Sequence, residues 1–265
     1  MSRVLLFSGG ADYTDPWHPF AETSAIVASI LGKDGHKLTL VDTLDGLSEA
    51  LGTVDLLVVN AGGGPEPHCL DNRLASILAG YRGPLLALHV AATLLPEHNA
   101  WEDSLGGRWV RGVSMHPRRG HLRLRPVPSS IAVDDLTPLE TVDEAYSWLR
   151  VMPEAEILLV HDYEGKAHPV SWTLNRDGRR TAYTALGHDS DAYEAPLAGK
   201  LLRLLVNWLC AGAADSDFRY PDLPHAPKTS AEKSTTMITR ISNEESDELN
   251  GHLHNDYGSS RAPSV

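Results

Sequence analysis

The stretch Val54–Leu88, VDLLVVNAGGGPEPHCLDNRLASILAGYRGPLLAL, contains two apolar runs of strand length on either side of a helical pattern. The runs Val54–Asn60 and Pro84–Leu88 are almost continuously apolar, which is typical of strands buried on both faces of a parallel sheet. Between them, Gly62–Pro67 breaks the chain and Leu70–Tyr81 has helical periodicity. Strand, helix and strand in this order predict one repeat of an α/β fold.

The chain upstream of this stretch repeats the alternation. Arg3–Ser8 and Lys37–Val41 are apolar runs of strand length, and each is followed by a segment with helical spacing, Pro19–Lys33 and Leu44–Leu51 respectively. Glycines 32 and 35 end the first of these helices. The first half of the chain therefore predicts a parallel sheet with helices on both faces.

The predicted strands become shorter and more polar beyond residue 106. Trp109–Val113, His121–Val127 and Tyr146–Val151 alternate apolar with polar residues, which is typical of antiparallel strands with one face in water. Three later runs again have the composition of core strands: Ile157–His161, Val170–Leu174 and Thr181–Leu186. An amphipathic helix, Gly199–Ala211, closes the pattern. We therefore predict a parallel sheet sandwiched by helices, with an antiparallel strand extension.

Composition excludes several classes of protein. The 265 residues carry 23 Lys and Arg against 35 Asp and Glu, a net charge of −12 that disfavours nucleic acid and anionic membranes as general partners. Only two cysteines, Cys69 and Cys210, exclude a disulfide framework and a four-cysteine zinc site. The apolar run in the first residues, MSRVLLFSGG, is too short for a signal peptide. No apolar run in the sequence approaches the ~20 residues of a membrane span. We expect a cytoplasmic, soluble protein.

The composition changes near Ala213. Residues 214–265 are rich in Ser, Thr, Asp, Glu and Pro and have few large apolar side chains. Such a segment cannot bury enough surface to offset the entropy of ordering. We therefore expect one folded domain at residues 1–213, followed by a disordered acidic tail at residues 214–265.

The loops after three predicted strands are rich in histidine, aromatic and acidic side chains. Ligands of an open parallel sheet bind at the carboxyl ends of its strands, so we expect these loops to meet in one cleft. They carry seven candidate residues: Asp12, Tyr13, Trp17, His18, His89, His188 and Asp189. Histidines and carboxylates brought together in this way either hold Zn²⁺ or another divalent cation, or transfer protons.

The chain contains 13 histidines, and histidine is both an acid–base group near pH 7 and the commonest metal ligand. Four histidines are the candidate metal ligands: His18, His89, His116 and His188. Two histidines and two carboxylates are the candidate acid–base residues: His89, His188, Asp189 and Glu144. For the pair Asp143-Glu144, the capping of a strand and the binding of a cation or a sugar hydroxyl both stay open.

The triple glycine Gly62–Gly64 does not fit a dinucleotide-binding motif. It is not GxGxxG, it precedes Pro65, and no acidic residue is placed for a ribose. We expect a tight turn here, with backbone N–H groups facing an anion as the alternative. No nucleotide cofactor is expected.

Six ordered motifs resemble the ThuA-like, trehalose-utilisation family. They are GPLLALHVAAT (Gly83–Thr93), W-x-x-x-L-G-G-x-W (Trp101–Trp109), MHP (Met115–Pro117), DEAYSW (Asp143–Trp148), HPVSW (His168–Trp172) and YTALGHDSDAY (Tyr183–Tyr193). The resemblance covers Ser2–Ala213. It implies a flavodoxin-like core, similar in fold to class I glutamine amidotransferases, in which a sharp turn after a central strand carries the nucleophile.

The resemblance also excludes one activity. The amidotransferase turn carries a cysteine, whereas the matching position here, after LLAL, is His89, and an imidazole cannot form the thioester intermediate. His188 corresponds to the amidotransferase histidine, but glutaminase activity is not expected. The first loop departs from the family pattern, because Thr14-Asp15 and then His18 stand where relatives carry His-Asp. The choice between Asp15 and His18 for that role stays open.

The family implies sugar utilisation. The expected function is therefore an enzyme acting on a disaccharide or its keto derivative in a histidine-lined cleft, with a sugar as the small-molecule ligand. Four aromatic residues are candidates for its flat contact faces: Trp17, Tyr13, Tyr146 and Tyr193. Trp101 also lies near a loop, so it is a further candidate for ligand stacking.

Two further expectations concern binding. The alternative function is a non-catalytic metabolite-binding or regulatory module that keeps the amidotransferase-like fold without its nucleophile. Uncovered sheet edges favour a homo-oligomer.

Overall fold

The computed structural model describes residues 1–62, 64, 67–133 and 135–211. The predicted tail, residues 214–265, lies outside these residues. The described chain contains twelve strands: β1 (Arg3–Ser8), β2 (Lys37–Val41), β3 (Leu56–Asn60), β4 (Leu85–Leu88), β5 (Gly107–Arg108), β6 (Gly120–Arg123), β7 (Arg125–Pro126), β8 (Glu140–Asp143), β9 (Arg150–Val151), β10 (Glu156–Tyr163), β11 (Lys166–Arg176) and β12 (Arg179–Thr184). It also contains five α-helices: α1 (Phe20–Lys33), α2 (Leu44–Ala50), α3 (Asp71–Ala79), α4 (Asn99–Leu105) and α5 (Pro196–Ala211).

Eight of these strands form the main sheet, in the order β2-β1-β3-β4-β12-β11-β10-β7. The first five strands in this order pair in parallel. Counted along the chain, they follow the 2-1-3-4-5 order of flavodoxin-like folds. The last three continue the sheet through antiparallel pairs. The predicted α/β fold with an antiparallel extension is confirmed.

The central parallel strands are buried on both faces. Every residue of β3 and β4 is buried, as a strand covered by helices on both faces requires. Helices α1 and α5 contact each other, while α2 contacts α3 and α3 contacts α4. The two groups of helices supply the covering layers. Among the described residues, no helix has the length and hydropathy needed to cross a bilayer.

The predicted strand at Trp109–Val113 is wrong. Its backbone is used in a local turn, where the amides of Val113 and Ser114 both donate to the carbonyl of Val110 at 3.1 and 2.8 Å. The Ser114 hydroxyl in turn accepts from the amide of Val110 at 2.8 Å. These local hydrogen bonds satisfy groups that a strand would offer to a neighbour.

Two other predicted antiparallel strands are shorter than expected. His121–Val127 divides into β6 and β7, which belong to different sheets, and Tyr146–Val151 is reduced to β9. Strand β8 was not predicted, because Glu140–Asp143 has a single apolar residue. It pairs with β6 in antiparallel register from Gly120 opposite Asp143. This small two-stranded sheet places residue 144 beside the carboxyl ends of the parallel strands.

Candidate metal centre

Four side chains meet at the carboxyl ends of the parallel strands: His18, His89, Glu144 and His188. Each offers one nitrogen or oxygen ligand atom, and these atoms all lie within 4.8 Å of one another. The three imidazole centroids are 5.0 to 5.4 Å apart. His18 follows β1, His89 follows β4, His188 follows β12, and Glu144 follows β8. The structure thus brings together residues from four separate segments of the chain, and we call them the histidine cluster.

Asp15 orients His18. The Nδ1 atom of His18 lies 2.7 Å from Oδ2 and 2.9 Å from Oδ1 of Asp15, and Oδ1 also accepts from the amides of Trp17 and His18. Burial raises the pKa of Asp15, but the His18 hydrogen bond and the backbone donors lower it more, and the net pKa is below its ordinary value. With Nδ1 held by Asp15, Nε2 is buried and has no hydrogen-bond partner in the described part of the chain. Asp15 therefore positions His18, whose ring lies beside those of His89 and His188.

His89 is fully buried and has a constrained tautomer. Its Nδ1 donates to the carbonyl of Ala185 at 2.6 Å. Its Nε2 lies 3.4 Å from Oε2 of Glu144 and 3.1 Å from the hydroxyl of Tyr146. Burial lowers the pKa of His89, but the Glu144 contact and the charge of Asp143 raise it more, so the net pKa is above its ordinary value.

The backbone at His89 is strained. Its φ is +45°, in the left-handed region that costs a non-glycine residue roughly 1–2 kcal/mol. The turn leads directly from β4 into a 3-10 helix, His89–Thr93. Gly62 packs against this helix so closely that a Cβ there would lie 2.5 Å from Val90. This contact accounts for one glycine of the Gly62–Gly64 segment, of which Gly63 lies outside the described residues.

Glu144 is shared among three histidines. Its Oε2 lies 3.4 Å from both His89 Nε2 and His188 Nδ1, and its Oε1 lies 3.6 Å from His116 Nδ1. Burial raises the pKa of Glu144, but the contacts with His89, His116 and His188 outweigh it and lower the pKa to about 2. The carboxylate of Glu144 is therefore negatively charged at neutral pH and offers an anionic oxygen ligand.

His188 stays neutral beside that carboxylate. Burial lowers its pKa most, His89 and His18 lower it further, Glu144 raises it, and the result is about 4. Its Nδ1 is buried without a hydrogen-bond partner within the described ranges. Neutral imidazole is the form that coordinates a metal.

Asp143 connects β8 with the segment that follows β12 and carries Gly187 and His188, which we call the β12 loop. Its carboxylate accepts from the amides of Gly187 at 2.7 Å, Glu144 at 2.8 Å and His188 at 3.4 Å. Burial raises the pKa of this carboxyl group. Of the acidic pair left open by the sequence, Asp143 is thus the structural residue and Glu144 is the one that contacts the histidines.

An aromatic wall stands next to the cluster. The ring of Tyr146 lies 4.6 Å from that of His89, 5.5 Å from His116 and 4.8 Å from Trp109, measured between centroids. His116 is one-third exposed and contacts Glu144 rather than the other three cluster residues. Trp109 also belongs to this wall. Trp17 is 59% exposed, next to His18 in the chain.

Three predicted site residues lie elsewhere. Tyr13 is fully buried and donates to Asp71 at 2.9 Å, so its ring is closed to a ligand. Asp189 binds Arg119 at 2.8 Å and caps a 3-10 helix, Ser190–Tyr193, because an aspartate there accepts from free amides. Trp101 is buried and donates to the carbonyl of Ala91 at 2.9 Å.

Tyr193 lies beside the β12 loop. A Cβ atom at Gly187 would lie only 2.6 Å from the hydroxyl oxygen of Tyr193. Burial raises the pKa of its hydroxyl above the ordinary value. This placement makes Tyr193 a support for the loop that carries His188.

The family described as ThuA, trehalose utilisation, matches residues 3–209. The chain belongs to the ThuA family. The match ends two residues before α5 does, it contains all six motifs, and it covers nearly the whole range of the resemblance, Ser2–Ala213. Membership of the ThuA family supports a role in trehalose utilisation.

Solved structures similar to this ThuA chain share its fold. A ThuA-like protein from Parabacteroides merdae ATCC 43184 is 18% identical with a TM-score of 0.58, over 83% of this chain and 93% of that one. A ThuA-like protein from Bacteroides uniformis ATCC 8492 is 14% identical with a TM-score of 0.59, over 78% and 90%. A β-galactosidase from Rahnella sp. R3 is 12% identical with a TM-score of 0.52, over 79% of this chain and 32% of that one. No match to this chain is found among the curated proteins.

Three of the ThuA motifs supply the histidine cluster. GPLLALHVAAT contains His89, DEAYSW contains Glu144 and Tyr146, and YTALGHDSDAY contains His188. His18 comes instead from the first loop, where the chain departs from the family pattern. The structure thus places this departure within the same site.

Proposed function

We propose that this ThuA-family chain is an enzyme of sugar utilisation that acts on a disaccharide or its keto derivative at the histidine cluster, with a divalent cation such as Zn²⁺ as cofactor. The observation that carries the proposal is a pair of buried ring nitrogens, His18 Nε2 and His188 Nδ1, without hydrogen-bond partners among the described residues. A buried polar atom left unpaired costs about 1–3 kcal/mol. A cation between the rings would satisfy both nitrogens.

The donor set fits such a cation. Three imidazole nitrogens and one carboxylate oxygen are ligand types of four-coordinate zinc, whose bonds of about 2.0–2.2 Å hold donors about 3.4 Å apart. The 3.4 Å distances from Glu144 Oε2 to His89 and His188 have this spacing. The carboxylate behind His18 and the carbonyl behind His89 are the outer partners that metal-bound histidines use.

The chemistry follows from what surrounds the cluster. A bound divalent cation polarises a carbonyl oxygen and makes water more acidic, which suits a keto-sugar substrate. The hydroxyl oxygen of Tyr146 lies 3.1 Å from His89 Nε2, so a hydrogen-bond donor stands at the edge of the cluster. His116, partly exposed and 3.6 Å from Glu144, is placed to exchange a proton with solvent. The exposed ring of Trp17 offers a flat face for sugar C–H groups.

The test compares cluster variants with a histidine outside the cluster. We expect His89→Ala and His188→Ala to lose bound zinc and to reduce turnover of a keto-disaccharide roughly a hundredfold or more, with folding retained. The matched control is His121→Ala, because His121 is exposed and pairs with Glu140 on β6 and β8. Metal content is measured by elemental analysis and turnover by mass spectrometry of the sugar.

Two results would contradict the proposal. Wild-type turnover in both cluster variants would show that the site is elsewhere. Binding of sugars, detected as thermal stabilisation, with no product from any keto or unmodified disaccharide would favour the non-catalytic binding module instead.

A further inference from the structure

Three arginines line a cavity that includes Trp109 of the aromatic wall. The cavity has a volume of about 150 Å³, and its lining includes Arg108, Arg111, Arg150 and Trp109. Arg108 is the second residue of β5, Trp109 follows it, and Arg150 on β9 is the pairing partner of Arg108. Strand pairing therefore fixes the backbone positions of two of the arginines relative to each other.

The cavity has surplus positive charge. Arg150 binds both oxygens of Glu102 at 2.5 and 2.6 Å, while Arg108 lies 3.8 Å from the same carboxylate. Arg111 donates to the carbonyl of Gly64 at 2.9 Å. Among the described residues, Glu102 is the one carboxylate in contact with these three guanidinium groups. Within the part of the chain that the structure describes, one carboxylate thus faces three guanidinium groups, in a protein whose net charge is −12.

One of the three is held in the interior. Arg108 is 4% exposed, and it donates to the carbonyl of Leu95 at 3.1 Å. Burial lowers the pKa of Arg108, Glu102 raises it, and the neighbouring Arg150 and Arg111 lower it again. A buried guanidinium next to two others is costly unless an anion offsets the repulsion.

Size and donor geometry select the anion. Ligand pockets of whole small molecules are about 300–1,000 Å³, so about 150 Å³ suits a single head group. Guanidinium groups present paired N–H donors that match the oxygens of phosphate. We propose that this cavity binds a phosphate group, either as free phosphate or as the head group of a phosphorylated sugar.

Trp109 connects the cavity with the candidate metal centre. Trp109 is a lining residue of the cavity, and its ring lies 4.8 Å from Tyr146 and 5.9 Å from His116, between centroids. A phosphomonoester held by the arginines would thus have its sugar next to the aromatic wall. Phosphate binding itself does not rest on the proposed function, because none of the arginines belongs to the histidine cluster.

The test is calorimetric titration of the full chain, treated with a chelator to remove metal, with inorganic phosphate and with glucose 6-phosphate at constant ionic strength. We expect saturable binding of at least one probe, weakened roughly ten- to a hundredfold in Arg111→Gln. The matched control, Arg123→Gln, removes an exposed arginine of β6 and should bind as the wild type does. Tighter binding of glucose 6-phosphate identifies the monoester as ligand, and equal or tighter binding of inorganic phosphate identifies free phosphate.

Two outcomes overturn the phosphate site: no saturable binding of either probe, or equal affinity in Arg111→Gln and wild type. Arg111→Lys, which keeps the charge but loses the paired donors, should bind with intermediate affinity and guards against misfolding of the glutamine variant. His89→Ala should keep phosphate binding while losing metal, so failure of the metal proposal and failure of this one give different results.

Discussion

The imidazole of His18 shows how a single side chain is prepared for a ligand. Asp15 accepts from Nδ1, so the tautomer is fixed and the lone pair of Nε2 faces the cluster. The strand-end rule predicted that His18, His89 and His188 face one cleft, because the carboxyl ends of parallel strands share an edge. It could not exclude Tyr13, because a position in a loop does not reveal whether the ring turns into the core.

Asp15 is the first point to test at this scale. Asp15→Asn keeps the shape of the side chain but removes the negative charge behind His18, and such outer partners contribute 10- to 100-fold to metal affinity. We expect zinc affinity to fall roughly by that factor, measured by competition with a chromogenic chelator. Asp162→Asn, on an exposed carboxylate of β10, is the control. Unchanged affinity in Asp15→Asn would contradict the positioning role.

The carboxylate of Asp55 should make the free energy of unfolding depend on pH. The hydrogen bond from Arg3 lowers the pKa of Asp55 most, and burial opposes it without reversing the shift. Because the folded pKa lies below the ordinary 3.8, the stabilisation is complete above 3.8 and disappears as the pH falls through the folded value. We expect Asp55→Asn to lose well under about 1 kcal/mol at pH 7, since the pair is partly exposed.

The measurement is urea unfolding of Asp55→Asn and wild type between pH 2 and 7. The difference in the free energy of unfolding should shrink toward zero at the acid end. A difference that grows on acidification would show that the folded pKa of Asp55 is raised.

At the scale of elements, the parallel half of the fold was predictable and the small antiparallel pieces were not. Strands such as β3, LLVVN, are apolar except for the final Asn60, so their composition alone indicates their position. Strand β8, with the sequence ETVD, is defined by its pairing with β6, about which composition says little. Since β8 places Glu144, the role of that residue in the cluster could not be derived from spacing.

The β12 loop requires a glycine at position 187. Gly187 has φ +118°, and a Cβ there would lie 2.6 Å from the hydroxyl of Tyr193. We expect Gly187→Ala to lower the free energy of unfolding by roughly 1–3 kcal/mol and to weaken metal binding, because His188 is the next residue. Gly52→Ala is the control, since a Cβ there meets nothing within 4 Å. Chemical denaturation and chelator competition measure the two effects, and equal stability of both variants would refute the constraint.

At the scale of the whole molecule, ligand atoms from four distant segments make the cluster a link between parts of the fold. The sheet also has two unpaired edges in the described chain, β2 and β7. Leu40 of β2 is 48% exposed. The homo-oligomer expected from such edges stays a prediction, as do the cytoplasmic location and the domain boundary at residue 213.

Metal binding should therefore stabilise the fold as a whole. A ligand that binds only the folded state at a hundred times its Kd adds about 2.7 kcal/mol to the free energy of unfolding. For a domain of this size, that raises the Tm by roughly 5–10 °C. We expect zinc to produce this rise in the chelator-treated wild type and none in His89→Ala, measured by scanning calorimetry. An equal rise in both would place the zinc elsewhere.

The position of β12 has a consequence for biosynthesis. It is the last strand of the described chain, yet it lies between β4 and β11, in the interior of the sheet. Until β12 has been synthesised, β4 and β11 lack the strand that joins them in the finished sheet. The same strand leads to His188, so the nascent polypeptide cannot assemble the complete cluster before its last strand has left the ribosome.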